Sequence, residues 1–219
     1  MYLEAKVEYL QYLLYGAVIS FLVSIGGCTI GIPLGLLIAM GRVKRIPILA
    51  PMLALYVSFI RSLPLLLFVM LFYFGLPVFG IDLNAYVASI ITLALNNAAF
   101  TSEIWRAAIM DFASEQLEAA KSVGMTDNQA FWRITLPQIW RASLPAFTNE
   151  VTLLIKATPA VGIIGIDDLT RRAGKLAASN YDPLRMISLA MIMYVVVLFV
   201  LSRASRAVDQ HLQRRYELI

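Results

Sequence analysis

Positions 9–41 carry no charged side chain, although the residues on either side do. At ~1.5 Å per helical residue such a run exceeds a hydrocarbon core of ~30 Å, so a first membrane span is expected over about 12–40. Within it Gly27, Gly31 and Gly35 recur every fourth residue and Ala39 continues the ridge, a face that lets a neighbouring helix come close; Pro33 lies inside it as a point of kinking. The next apolar stretch is interrupted at Arg61 and again by Pro64, which disfavours helix at Leu63. It reads as a lead-in helix with Pro47 and Pro51, then a span centred on 65–76, together about 50–78, ended by Gly75, Pro77 and Gly80. Further apolar runs give spans at about 83–107, 139–164 and 183–202. The whole chain therefore reads as one all-α membrane domain of five spans, with a polar loop at 111–137.

Composition agrees. Of 219 residues 60% are hydrophobic and 15% charged, and the mean hydropathy is +0.75, too few charges to coat a water-facing surface. The same figures exclude intrinsic disorder, and a single cysteine, Cys28, excludes a disulfide scaffold. The net charge of +4 reads as a topology signal rather than a nucleic-acid surface, because basic residues flank apolar runs. Arg42, Lys44 and Arg45 mark the cytoplasmic side, as do Arg203, Arg206, Arg214 and Arg215 after the last run. That puts the N-terminus outside and the C-terminus in the cytoplasm. Arg171, Arg172, Lys175 and Arg185 run against this scheme, with Asp167, Asp168 and Asp182 beside them.

The polar loop reads as two short helices around a glycine. Ser114 is placed to cap the first, and Gly124 suits the left-handed position that ends it. Thr126-Asp-Asn-Gln129 has the form of a capping box, and the helix it opens runs through Ala130, Phe131, Ile134 and Leu136 until Pro137 stops it.

Glu118-Ala119-Ala120, three residues, Gly124, nine residues, Ile134, one residue, Leu136-Pro137 resembles the EAA signature of ABC importer permeases. Four more segments resemble the polar amino-acid subgroup: Phe59-Ile-Arg-Ser-Leu-Pro64, Phe72-Tyr-Phe-Gly-Leu-Pro77, Leu95-Asn-Asn-Ala-Ala-Phe-Thr-Ser-Glu-Ile104 and Leu144-Pro-Ala-Phe-Thr-Asn-Glu150. The resemblance implies a five-span type I permease bundle in a bacterial inner membrane, with the EAA elbow as the coupling helix that docks on an ATPase. It implies a second permease subunit, homo- or heterodimeric, two ATP-binding subunits, an extracytoplasmic substrate-binding protein and an amino-acid ligand. ATP and magnesium would sit on the partner, with no cofactor in this chain. By the same resemblance Glu118, Ala119, Ala120, Gly124, Ile134, Leu136 and Pro137 carry the ATPase contact. Two segments depart from the family pattern: Lys156-Ala-Thr-Pro-Ala160, and Asn97-Ala-Ala-Phe100.

Ionisable residues inside spans are costly and mark pathways or pairings. Arg61, Glu103, Glu150 and Lys156 stand out, with Asn96, Asn97 and Thr101 near the Glu103 side. A zwitterionic amino acid needs an acceptor for its ammonium, which Glu103 and Glu150 offer, and donors for its carboxylate, which Arg61, Asn96 and Asn97 offer. The competing expectation is that these charges pair with one another, for example Arg61 with Glu103, and hold the bundle together.

Catalysis is not expected. His211 is the sole histidine and lies in the basic tail, which removes His-based metal sites and triads. Around Gly174-Lys175 no phosphate loop exists, since Leu169 stands at the first glycine position and Leu176 replaces the Ser/Thr. The expected function is a permease subunit for a polar amino acid, cationic or zwitterionic. The alternatives are a permease for cystine, an opine or a compatible solute, or a stand-alone channel or secondary transporter.

Overall fold

The computed structural model describes the backbone of residues 2–216 and the side chains of residues 7–207; the side chains of His211, Arg214 and Arg215 lie outside that range. The described residues form α-helices, one 3-10 turn and one π turn, and no strand.

Two long helices form the centre. Helix α1 (Tyr2–Val43) continues through Pro33, and its glycine ridge lies on α4 (Ala85–Met110). A Cβ added at Gly27 would come 2.8 Å from Leu93 Cβ, and one at Gly31 would come 2.6 Å from Asn97 Oδ1 and 2.8 Å from the Ala94 carbonyl oxygen. The predicted close-approach face is thus used, by α4. Side chains of α4 then reach the α1 backbone: Trp105 Nε1 donates to the Ile32 carbonyl at 3.0 Å, and the Thr101 hydroxyl, bonded to the Asn97 carbonyl at 2.8 Å, shares its proton with the Gly31 carbonyl at 3.3 Å.

Helices α2 (Leu49–Ser62) and α3 (Leu65–Gly75) meet at the predicted break. Leu63 is extended ahead of Pro64, and α2 is bent by 109° from the α3 segment and the 3-10 turn (Leu76–Phe79) that follows it. Tyr56 of α2 donates to the Leu95 carbonyl of α4 at 2.7 Å. The chain crosses back as α4, capped by Asn84, which accepts from Val87 N at 2.9 Å.

After α4 come α5 (Ser114–Ser122), α6 (Asp127–Ala130) and the π turn (Phe131–Thr135), which leads into α7 (Leu136–Lys156). The fourth span expected over 139–164 is shorter than that. α7 stops at Lys156 because Pro159 has no N–H for the Ile155 carbonyl, and the Thr158 hydroxyl takes that carbonyl instead at 2.8 Å. Helix α8 (Pro159–Gly162) is a single turn beyond the break. Among the described residues three helices are long and apolar enough to cross a membrane, Val7–Val43, Ala85–Met110 and Pro183–Ala207, and the bent α2–α3 pair is a fourth candidate. α7, which contains Arg141, Glu150 and Lys156, is not among them.

Helix α9 (Leu169–Asn180) lies at the end opposite the elbow, and α10 (Pro183–Tyr216) returns along the bundle. Asp168 is fully buried and caps α9, accepting from Thr170 N at 3.1 Å and Arg171 N at 3.0 Å. Burial pushes its carboxyl above the ordinary aspartate value, against the pull of those two amides. The basic residues of α9 that strain the topology rule are tied locally. Lys175 pairs with Asp167 at 2.6 Å and Arg171 donates to the Gly162 carbonyl. Arg172 donates to the Tyr12 carbonyl of α1 and lies over the Tyr12 and Tyr15 rings at 4.3 and 4.5 Å.

Gly31→Ala is expected to destabilise the fold by about 1–3 kcal/mol, since backbone and a buried amide block the new methyl. Gly174→Ala, which meets nothing within 4 Å, should be neutral or stabilising. Thermal unfolding of the two purified variants against the parent checks both.

Candidate functional site

The elbow is built by local chain chemistry. Gly124 has φ +83°, Gly124 N donates to the Lys121 carbonyl and Met125 N to the Ala120 carbonyl, the paired bonds of a Schellman stop. The predicted capping box is present: Gln129 N donates to Thr126 Oγ1 at 3.3 Å and Thr126 N to Gln129 Oε1 at 3.0 Å. Two expectations are corrected. Ala113, not Ser114, occupies the cap position of α5, because Ala113 takes the non-helical backbone and puts Ser114 inside the first turn. Pro137 does not stop the second helix. The five-residue π turn widens the helix just upstream, and Pro137 enters the first turn of α7, where its missing N–H costs little. Elbow and α7 are therefore one continuous rod. Glu118, Ala119 and Gly124 are exposed, Ala120 is buried, and Ile134, Leu136 and Pro137 are half-buried. A hydrogen bond from Gln138 Nε2 to Gln116 Oε1 at 2.8 Å ties α7 back to α5.

The charged residues separate into two groups. Glu103 lies at the elbow end of α4, held by Arg42 Nη1 of α1 and by Arg106, whose Nε and Nη2 donate at 2.9 and 2.8 Å. The expected ion pairing exists, but Glu103 takes Arg42 and Arg106 rather than Arg61. Arg61, exposed at the α2–α3 break, lies 5.3 Å over the Phe100 ring. Glu150, half-buried on α7, is within electrostatic reach of Arg61. Buried Asn96 sits one helical turn before Phe100 on the same side of α4. The structure thus sets Arg61 over Phe100, one turn from Asn96 and within electrostatic reach of Glu150, and pairs Glu103 elsewhere. Asn97, 1% exposed, fills the notch left by Gly31, and neither of its amide atoms has a hydrogen-bond partner among the described residues. Lys156 is exposed in the last turn of α7.

Sequence reasoning missed Phe100 as the partner of Arg61 and assigned Arg42 to topology alone. The spacing of Arg106 three residues after Glu103 was available as a signal. It also missed a stack that joins α4 to α7: Trp105 lies 5.7 Å from Trp140 and 4.8 Å from Phe147, ring centre to ring centre. Asp168, noted only as an acid beside Arg171 and Arg172, had the placement of a helix cap before Leu169.

A family model described as "Binding-protein-dependent transport system inner membrane component" matches residues 31–218. The arginine transport system permease protein of Bacillus subtilis (strain 168) is 30% identical over 211 residues, 96% of either chain. The L-cystine transport system permease protein of the same organism is 32% identical, covering 84% of this chain and 79% of that one. The crystal structure of an amino acid ABC transporter with histidines superposes with a TM-score of 0.85 at 30% identity, covering 94% of this chain and 97% of that one.

The Glu103 cluster is expected to behave as a structural unit. Glu103→Gln should cost about 1–3 kcal/mol, because it leaves two half-buried guanidinium groups facing a neutral amide. A double-mutant cycle with Arg42→Gln should return a coupling of at least about 0.5 kcal/mol in thermal or denaturant unfolding; additive losses would dissolve the cluster.

Proposed function

The chain belongs to the family of inner-membrane components of binding-protein-dependent transport systems, among the amino-acid ABC transporter permeases, and on that premise we propose that its solute is a cationic or zwitterionic amino acid. It is not an enzyme; ATP hydrolysis belongs to a partner ATPase. The observation that carries the proposal is Arg61 at the α2–α3 break, lying over Phe100 and within electrostatic reach of Glu150. Arg61 offers a carboxylate its guanidinium fork, and Glu150 accepts an ammonium or a cationic side chain. Both stand beside interruptions in helices, Arg61 at the α2–α3 break and Glu150 two turns before α7 ends, where transporters commonly hold solutes. Relatives named for arginine and cystine, and a solved relative with histidines, handle molecules with that same head group. Glu103, paired with Arg42 and Arg106, and Asn97, packed into the Gly31 notch, act as positioning residues.

The complex would contain this subunit, a second permease subunit, two ATP-binding subunits that hold ATP and magnesium, and an extracytoplasmic binding protein. The basic segment Arg42–Arg45 and the elbow share one end of the bundle, which supports placing that end in the cytoplasm and the N-terminus outside. With α7 counted, the chain spans the membrane five times. The exposed flank of Glu118, Ala119 and Gly124 is suited to a groove on the ATPase, and the unbroken rod from elbow to α7 gives ATP-driven closure a path to Glu150. The solute shifts this equilibrium only by its differential affinity for the two states.

Gly124→Pro, which forbids φ +83° and removes the N–H bonded to Lys121, should abolish ATP-driven uptake in proteoliposomes while leaving membrane insertion intact. Normal uptake would remove the elbow from the coupling path. In the assembled complex, Glu150→Gln should raise the solute concentration needed for half-maximal stimulation of ATP hydrolysis by about tenfold or more, the scale of one lost charge-assisted contact. An unchanged response would leave selection to the binding protein.

A further inference from the structure

Behind the elbow lies a cavity of about 370 Å³ that neither the proposed solute site nor the exposed flank uses. Its apolar walls come from four elements: Val43 at the end of α1, Ile109 and Phe112 at the end of α4, Leu117 of α5 and Phe131 of the π turn. Its exposed rim carries Lys44, Asp127 and Asn128. Asp127 is also bridged to Lys121 at 2.9 Å, and Asn128 Oδ1 accepts from Trp132 Nε1, which leaves the amide NH₂ to donate.

The informative lining residue is Thr135. It is 4% exposed, and its hydroxyl has no hydrogen-bond partner among the described residues. Helical threonines usually give that proton to the carbonyl four residues back, as Thr92, Thr101 and Thr148 do in this chain. Thr135 belongs to the π turn, where that bond is not made. A buried hydroxyl without a partner carries a desolvation cost that a bound group can relieve.

We propose that this cavity is a binding site for a hydroxylated aromatic α-amino acid, with tyrosine as the model ligand. The carboxylate pairs with Lys44 and the Asn128 amide at the rim, and the ammonium adds to Asp127. The ring lies among Phe112, Phe131 and Leu117, and the phenolic group meets the Thr135 hydroxyl at the buried end. The volume holds one large side chain and its head, within the range of small-molecule sites, and is too small for a lipid acyl chain with its headgroup. An occupant touches the ends of α1 and α4 and both arms of the elbow at once, so it braces the elbow against the bundle. That consequence, and the cytoplasmic location of the site, rest on the proposed coupling role of the elbow; binding does not.

The test is equilibrium binding to the purified, nucleotide-free complex, using L-tyrosine, L-phenylalanine, tyramine and 3-(4-hydroxyphenyl)propionate. L-Tyrosine is expected to bind about tenfold more tightly than each of the other three, since a site built to pair a hydroxyl, a carboxylate and an ammonium penalises loss of any one. Thr135→Val should bring tyrosine down to the phenylalanine level and leave phenylalanine unchanged. Its thermal stability should equal or exceed that of the parent, because it deletes an unpaired hydroxyl. No tyrosine binding up to the order of 1 mM, equal affinity for phenylalanine, or tyrosine binding indifferent to Thr135→Val would each overturn the proposal.

Discussion

The close approach of α1 to α4 is the constraint on which the rest of the structure depends. In a bilayer, apolar surface gains little by leaving lipid for protein, so association rests on tight contact and on hydrogen bonds between helices. Gly27 and Gly31 supply the contact by omitting the Cβ atoms that Leu93, Ala94 and Asn97 would otherwise strike. The hydrogen bonds follow from it: Thr101 and Trp105 reach α1 carbonyls only because the two backbones lie so near. At the elbow end the same proximity lets Arg42 of α1 neutralise Glu103 of α4, so a carboxylate that would be costly near lipid becomes part of the seam.

Around that seam the other elements are attached with unequal firmness. At the α9 end, Leu169 N donates to Ser20 Oγ and Arg172 to the Tyr12 carbonyl, binding α9 to α1, and the Tyr194 hydroxyl of α10 donates to the Asp168 carboxylate at 3.4 Å. At the elbow end, α7 is held to α4 by stacked rings rather than by a glycine seam. Rings tolerate tilt and sliding that a seam of backbone contacts does not. The firm pair and the clamped end form the frame, and on the proposed coupling the rod from the elbow through α7 is the part that swings. The break at Leu63-Pro64 closes the helix that carries Arg61, and the turn at Ala157-Thr158 closes the one that carries Glu150.

What was legible in the sequence was whatever depends on a few adjacent residues. The glycine ridge, the break before Pro64, the left-handed Gly124 and the Thr126–Gln129 box are each dictated within a turn or two of chain, and each is in the structure. The misreadings involve competition between local rules or partners distant in sequence. Pro137 ends a helix by itself, yet here an upstream π turn absorbs it. Pro159 carried the opposite message, and the apolar run around it hid the stop. The partners of Arg61 and Glu103 could not be ranked from charge alone: Arg61 takes a ring 39 positions away, and Glu103 takes an arginine 61 positions away that also serves as a topology signal. The burial of Asp168 was not legible because it is created by α1 and α10, which no local pattern announces.

The polarity of α7 follows from its place in this division. A helix that faces lipid all round can afford no ionised group, and α10, only 17% of whose span window is buried, accordingly carries its charges at its two ends. α7 holds Glu150 in its interior and Arg141 near its start, so hydropathy alone does not count it as a span. Glu150 is stable there only if its side chain faces protein or an aqueous path, and its proximity to Arg61 supplies the countercharge on one side. The helix least suited to lipid is also the one joined without interruption to the exposed elbow. A rod that must turn within the bundle gains from having a polar face, because rotation then exchanges protein contacts for water instead of exposing charge to hydrocarbon. On the proposed coupling, the features that weaken α7 as a membrane anchor are the ones that let it move.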